Sequence, residues 1–266
     1  MRLLVRTWNL FHGRSFPESG ETYLDEMVAL AAQDGPDVVC LQEVPAWALP
    51  ELEAWSGMNA VGAIAMPAIG GRLARRVTAL DPRRLRSALT GQANAVLIAP
   101  RLTIVEAPTS LSLNPRAVRR REGERLGLSI ATRVAWSRNR RVAQLVRIAV
   151  GGETAVIVNL HLSSLLDSRP VDAELLRAVT YADGFARPGE PLVLAGDFNL
   201  TTASSLLLTA LRDDWGFSEA AGGIDHVVAR GFTIVRGPAA WPEERRRRGG
   251  LLLSDHAPVE VEMIGP

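Results

Sequence analysis

Apolar residues come in short runs along this chain, and the runs are of two kinds. Residues 3–8, 38–42, 94–99, 192–195, 224–228, 233–235 and 259–263 are continuous or alternating, which predicts strands. Runs 142–150 and 154–160 flank Gly151-Gly152, which predicts a β-hairpin. Residues 23–32 instead space Leu24, Met27, Val28 and Ala31 as a helical stripe, stopped by Gly35-Pro36. Residues 171–186 repeat that period at 171, 175, 178, 179 and 182, and 46–55 and 203–211 are predicted helical as well. Helices interleaved with strands predict layered α/β or α+β architecture, and the hairpin argues against a purely parallel sheet. No linker-like stretch or internal repeat divides residues 1–266, so a single domain is expected.

Composition narrows the class. With 47% hydrophobic and 22% charged residues, the 266-residue chain is neither disordered nor collagen-like. Its longest apolar runs are far too short to span a bilayer, so no stable membrane association is expected. Thirty basic against 29 acidic residues leave a net charge of +1, which does not advertise a nucleic-acid binder. There is no lysine, so every basic residue is Arg, the side chain suited to planar contacts with phosphate; codon bias is the plainer account of that choice. Three Arg-rich stretches, 72–86, 116–125 and 245–248, show little regular pattern. Each is expected as a solvated loop or helix face, with contact to a phosphate-bearing substrate as the alternative. The single cysteine, Cys40, forms no intrachain disulfide and is expected in the core. The opening residues lack a signal peptide's apolar stretch, so a cytoplasmic location is expected.

The candidate chemistry sits where apolar runs stop. Asn9, Glu43, His161, Asp197 with Asn199, Asp225 with His226, and Asp255 with His256 all follow or open such runs. A polar side chain at the end of a buried strand must be solvated, paired or metal-bound. Repeated six times, the pattern predicts one convergent site at a sheet rim. All four histidines, His12 included, lie within three residues of such a stop. The oxygen-rich set Asn9, Glu43, Asp197, Asn199, Asp225 and Asp255 suits Mg²⁺, Mn²⁺ or Ca²⁺. A P-loop is impossible without lysine, and no HExxH or Gly-x-Ser-x-Gly motif is present.

Thr7-Trp8-Asn9, Leu41-Gln42-Glu43-Val44, Asn159-Leu160-His161-Leu162, Gly196-Asp197-Phe198-Asn199, Ile224-Asp225-His226 and Ser254-Asp255-His256 follow one another in that order. Together they resemble the motif series of the endonuclease/exonuclease/phosphatase superfamily, the deoxyribonuclease-I-like fold, over residues 7–256. The resemblance implies a four-layer α/β sandwich of two packed mixed β-sheets flanked by helices, and metal-dependent hydrolysis of a phosphoester. It implies Glu43 as the main Mg²⁺ ligand, helped by Asn9 and with Asp255 as a second contact. It implies Asp197 and Asn199 as the pair that positions water and phosphate, Asp225–His256 as a catalytic dyad, and His161 as a donor to a phosphate oxygen. Asn94 and Arg141 resemble substrate contacts more weakly, and either fits an ordinary strand-edge role equally well. His12 is expected at the pocket rim, and His226 on the face of its strand opposite Asp225. The substrate is left open between DNA or RNA, for a phosphodiesterase or nuclease, and small or lipid phosphoesters, for a phosphatase or sphingomyelinase-like enzyme. A non-catalytic phosphate-binding scaffold would need one of these residues to be missing, and none is.

Overall fold

The computed structural model describes residues 2–68 and 90–265. The predicted strands form, and most reach one or two residues farther than their apolar runs. In chain order they are β1 (Arg2–Asn9), β2 (Ser15–Phe16), β3 (Val38–Val44), β4 (Asn59–Met66), β5 (Gln92–Ile98), β6 (Thr103–Ile104), β7 (Thr109–Ser112), β8 (Val142–Val150), β9 (Glu153–His161), β10 (Leu192–Asp197), β11 (Asp225–Arg230), β12 (Thr233–Ala240), β13 (Arg247–Arg248), β14 (Leu251–Leu253) and β15 (Val259–Ile264). The described α-helices are α1 (Leu24–Ala31), α2 (Leu52–Ser56), α3 (Arg116–Arg125), α4 (Ile130–Arg138), α5 (Arg169–Phe185) and α6 (Leu206–Asp213).

Two mixed sheets dominate. Sheet one has the order β12-β15-β1-β3-β5-β4, and sheet two runs β11-β10-β9-β8-β6 with β7 also on β8. Each contains one parallel pair, β1 with β3 and β9 with β10. β1 also pairs antiparallel with β15, Arg2 opposite Ile264. The predicted hairpin is β8–β9, with Gly151 and Gly152 both at positive φ in its turn. A small third sheet, β13-β14-β2, lies beside them.

Strand alternation builds the layers. Ile157 of β9, Val193 and Ala195 of β10 and Val227 of β11 join the core that also holds Val5, Cys40 and the α1 stripe Leu24, Met27, Val28 and Ala31. Their neighbours Val156, Val158, Leu192 and Leu194 pack instead with Val171, Leu175, Val179 and Leu208 of α5 and α6. The result is helix, sheet, sheet, helix, as expected for this four-layer sandwich. No described helix is long and apolar enough to cross a membrane.

Polar residues cross the sheet–sheet interface at one end. Gln42 Nε2 donates to Asn159 Oδ1 at 2.8 Å and to Thr7 Oγ1 at 3.0 Å. Asn159 Nδ2 donates to the carbonyls of Leu41 and Ala95 at 3.0 and 2.9 Å. All three side chains are fully buried. Thr7, Gln42 and Asn159 therefore tie the two sheets together directly behind the residues that follow them in sequence.

Asn94 joins this tie. It is buried, and its Nδ2 donates to the carbonyl of Val142 at 3.1 Å. The described Arg-rich stretches fit the expected solvated helix and loop faces, apart from buried Arg246. Residues 116–125 form helix α3, and residues 72–86 lie outside those described. In 245–248 the arginines are engaged by protein: Arg245 pairs with Asp34, Arg247 with Glu243 and Arg248 with Glu26. Arg246 is buried and donates to the carbonyls of Leu253 and Ser254, holding the turn before His256.

Candidate active site

The parallel strands β1, β3, β9 and β10 all end at one rim, and β5 and β11 begin there. In β9 the positions 155, 157, 159 and 161 share a face, as do 193, 195 and 197 in β10 and 225, 227 and 229 in β11. Ala155, Ile157, Val193, Ala195, Val227 and Ala229 fill the sheet–sheet core, so His161, Asp197 and Asp225 continue that core to its edge. Register then sets them side by side, with Asp197 opposite both His161 and Asp225. His226 falls on the other face. It is buried against Phe198, with Nε2 2.8 Å from the Leu200 carbonyl, and burial holds its pKa down.

Glu43 would face away from Gln42 under strict alternation. The register between β3 and β5 slips between Leu41 and Val44, and Glu43 adopts φ +53°. Such a bulge re-aims a side chain. Glu43 Oε2 lies 3.5 Å from His12 Nε2, and Oε1 lies 3.9 Å from His161 Nε2. Six described non-glycine residues have positive φ, and five of them (Phe11, His12, Glu43, Asn199 and Ser254) lie in the loops and strand ends of this rim. Backbone strain is thus concentrated at the candidate site.

Asp197 is the hub. Its Oδ2 accepts from Asn9 Nδ2 at 2.9 Å and lies 3.6 Å from His161 Nε2 and 4.0 Å from His256 Nε2. Its Oδ1 accepts from the Asn199 amide at 3.0 Å, and Asn199 Nδ2 donates to the Leu162 carbonyl. Burial, reinforced by the charge of Asp225, raises its pKa. Asp225 Oδ2 lies 2.8 Å from His256 Nδ1, while Asp225 Oδ1 is buried with no hydrogen-bond partner. Burial works against protonation of His256, but the hydrogen bond and charge of Asp225, with the charges of Asp197 and Asp255, push its pKa up to about 9. Asp255 is exposed at the rim, and partial burial and the Glu43 charge raise its pKa against the opposing pull of His256 and Arg14.

His161 is a neutral ring. Burial lowers its pKa well below the usual value, with Arg141, His256 and His12 acting in the same direction. Its Nδ1 lies 3.1 Å from Gln92 Nε2 and 3.2 Å from Arg141 Nη1. A guanidinium can only donate, so Nδ1 must carry the lone pair and Nε2 the proton. That N–H faces Glu43 and Asp197.

A cleft of about 190 Å³ opens at this rim, lined by Phe11, His12, Glu43, Gln92, Arg138 and Arg140 among others, with Arg141 also in its wall. A larger groove of about 780 Å³ lies between α3 and α5 and contains none of the strand-end residues. The site is therefore identified by its chemistry and not by volume. Arg138 and Arg140 are exposed on the cleft wall, and neither has a carboxylate within 4.0 Å among the described residues. Gln92 was not picked out from the sequence; it lies two residues before Asn94 on the same strand face, nearer the rim, and period-2 spacing could have found it.

Asp197, Asp225 and His256 offer three atoms within 4.8 Å of one another, a grouping that could hold a metal ion. Glu43 with Asn9 is a second oxygen-rich corner. Asn9 Oδ1 accepts from the Phe11 amide at 3.0 Å and retains a second lone pair.

The family model for the endonuclease/exonuclease/phosphatase family matches residues 7–256. The chain belongs to that family. Solved structures agree on the fold. A family protein from Bacteroides vulgatus is 16% identical, with a TM-score of 0.69 and 100% of each chain covered. One from Beutenbergia cavernae DSM 12333 is 20% identical, with a TM-score of 0.68 over 99% of this chain and 72% of its own. The mannosyl-6-phosphatase Bt3783 of Bacteroides thetaiotaomicron VPI-5482 is 15% identical, with a TM-score of 0.66, covering 98% of this chain and 99% of its own. No curated protein sequence matches. As a member of this family the chain is a phosphoester hydrolase by class, built on the family's two-sheet sandwich.

Proposed function

We propose that the protein is a divalent-cation-dependent phosphodiesterase acting on a polyanionic substrate such as DNA or RNA. The observation that carries the proposal is the pair Arg138 and Arg140, unpaired among the described residues, on the wall of a cleft that also holds Glu43, itself 3.9 Å from His161. Flanking phosphates of a polyanion would occupy those arginines while the scissile phosphate reaches the rim. Asp197 and Asn199 would hold the attacking water. Protonated His256 and the Nε2–H of His161 would donate to phosphate oxygens as charge builds on them.

The residues fit a hard cation, and they favour the Glu43 corner over the grouping around His256. The Nδ1 of His256 is engaged by Asp225, which leaves only its Nε2 to face a metal there. Glu43 and Asp255 are carboxylates whose mutual repulsion a cation relieves. Glu43 and Asn9, with Asp255, would hold Mg²⁺, with Mn²⁺ or Ca²⁺ as substitutes. When bound, the ion polarises a phosphoryl oxygen and steadies the leaving oxygen.

A second reading is hydrolysis of a small phosphoester, supported by the modest cleft volume and by the mannosyl-6-phosphatase among the structural neighbours. A substrate panel separates the two. Plasmid DNA, single-stranded DNA, RNA, bis-p-nitrophenyl phosphate, p-nitrophenyl phosphate, sphingomyelin and sugar phosphates are each incubated with Mg²⁺, Mn²⁺ or EDTA, with His256→Ala as the contamination control. Nucleic-acid cleavage lost in EDTA and in His256→Ala is expected. Replacing Arg138 and Arg140 together by Ala should raise KM for the polymer about tenfold at moderate salt and flatten its salt dependence, leaving bis-p-nitrophenyl phosphate nearly unaffected. Turnover confined to monoesters, indifferent to the two arginines, would move the function to the second reading.

A further inference from the structure

Glu174 lies on α5, outside every motif noted above, and is almost completely buried. A carboxylate inside a helix–sheet core is costly unless it is fully hydrogen-bonded. Here it is. Oε1 accepts from Asn114 Nδ2 at 2.6 Å, Trp136 Nε1 at 2.6 Å and Ser163 Oγ at 2.7 Å, and Oε2 accepts from the Ser163 amide at 2.8 Å. Burial leaves its pKa raised, against the pull of Trp136, Ser163 and Arg141. Three of the four donor groups can only donate in these contacts, so the geometry is that of an ionised acceptor.

Each of those partners leads to the site. Ser163 is the second residue after His161. Trp136 is on α4, whose last residue, Arg138, lines the cleft. Asn114 uses its Oδ1 to accept from the Arg141 amide at 3.2 Å and its Nδ2 to reach the Asn139 carbonyl at 3.1 Å. Asn139 Oδ1 in turn accepts from Arg141 Nη2 at 3.3 Å. Arg141 is buried with no carboxylate within 4.0 Å among the described residues, and its Nη1, with Gln92 Nε2, meets the lone pair of His161. The carboxylates whose charge reaches this guanidinium are Glu43, Glu174 and Asp197. Glu43 and Asp197 face the cleft, where substrate and cation exchange. Glu174 is the one that stays the same through turnover.

We propose that Glu174 is a positioning residue: an ionised carboxylate beneath the site that orients Arg141 and, through it, keeps the His161 proton on Nε2. With the proton on Nδ1, the ring would turn a lone pair toward Glu43, Asp197 and any bound phosphate oxygen. The proposal rests on the phosphoesterase reading for its kinetic readout only; the position of the His161 proton is observed without substrate.

The test is ¹⁵N NMR of the histidine rings in the full chain, with His161→Gln giving the assignment. The wild type is expected to show Nε2 protonated and Nδ1 bare. In Glu174→Gln both ring nitrogens should move toward averaged tautomer values. kcat on bis-p-nitrophenyl phosphate should fall about 10- to 100-fold, with KM changed less than about threefold. Arg141→Ala should give the same spectrum, and adding Glu174→Gln to it should cost less than about twofold more. If Glu174→Gln does not fold, Asn114→Ala breaks the same link with the carboxylate in place and carries the same expectations. An unchanged His161 spectrum in a folded variant, or fully multiplicative losses in the double variant, overturns the proposal. Absence of wild-type turnover on every phosphoester would defeat the functional reading, and the spectrum would still decide the role of Glu174.

Discussion

Single side chains decide the chemistry, and two of them give direct tests. Glu43 owes its place to a bulge and a positive φ, and among the described residues its carboxylate lies against His12 and His161. Glu43→Gln is expected to abolish cation-stimulated turnover, measured after metal stripping and add-back, with a melting temperature within a few degrees of wild type. His256 carries the clearest titration. Its folded pKa of about 9 lies above the unfolded value of about 6.5. A raised pKa means that the folded state holds the proton more tightly. The stabilisation is therefore fully present below about pH 6.5 and is lost as pH rises through about 9. In cation-free buffer, the melting-temperature gap between wild type and His256→Gln should be widest near pH 6 and shrink progressively toward pH 9.5. A gap independent of pH would refute the Asp225–His256 pairing as the source. Most of these residues were legible in the sequence because each one interrupts an apolar run. Asn94 is also a polar residue in a strand, but it lies one residue pair deeper, where polar groups join the sheets. Glu174 gave no sign, since an acidic residue in an amphipathic helix reads as surface.

At the scale of elements, Gly196 shows how tightly the site's backbone is drawn. It adopts φ +150°, and a Cβ there would stand 1.9 Å from the Leu160 carbonyl oxygen. β9 and β10 therefore approach each other more closely than a side chain allows, just where Asp197 and His161 come abreast. Gly196→Ala should cost about 3 kcal/mol or more through forced strand separation, seen as a fall in melting temperature of roughly 6–12 °C. Turnover should drop further than residual folding explains. Strands and the long helix were readable because burial imposes its period on them. α3 and α4 were not. In α3 only Val118 and Gly123 are buried, and in α4 only Trp136, so no apolar stripe marks either helix. The readable sign of α4 was its cap, Ser129, whose Oγ accepts from the Thr132 amide at 3.1 Å.

For the molecule as a whole, the tie between the sheets matters most. Asn9 and Glu43 hang from sheet one, while His161, Asp197 and Asp225 hang from sheet two. Gln42 and Asn159 set the distance between the two groups. Gln42→Leu or Asn159→Leu alone leaves buried polar partners unmatched and should cost roughly 2–4 kcal/mol by denaturant unfolding. Replacing both should cost clearly less than the sum, because the partners vanish together. The layered arrangement followed from the interleaved pattern; this tie did not, because nothing in a linear sequence shows which buried polar residue faces which. The pairing of β1 with β15 has a consequence in time. Every strand of sheet two lies between residues 103 and 230, whereas sheet one draws on both flanks of that segment. During synthesis the half of the site built on sheet two can assemble early. Strand β1, which carries Asn9, must wait with an open edge until residues 259–264 leave the ribosome. The site is therefore complete only once β15 has been made, and a nascent chain that stalls before it would leave one edge of β1 unpaired.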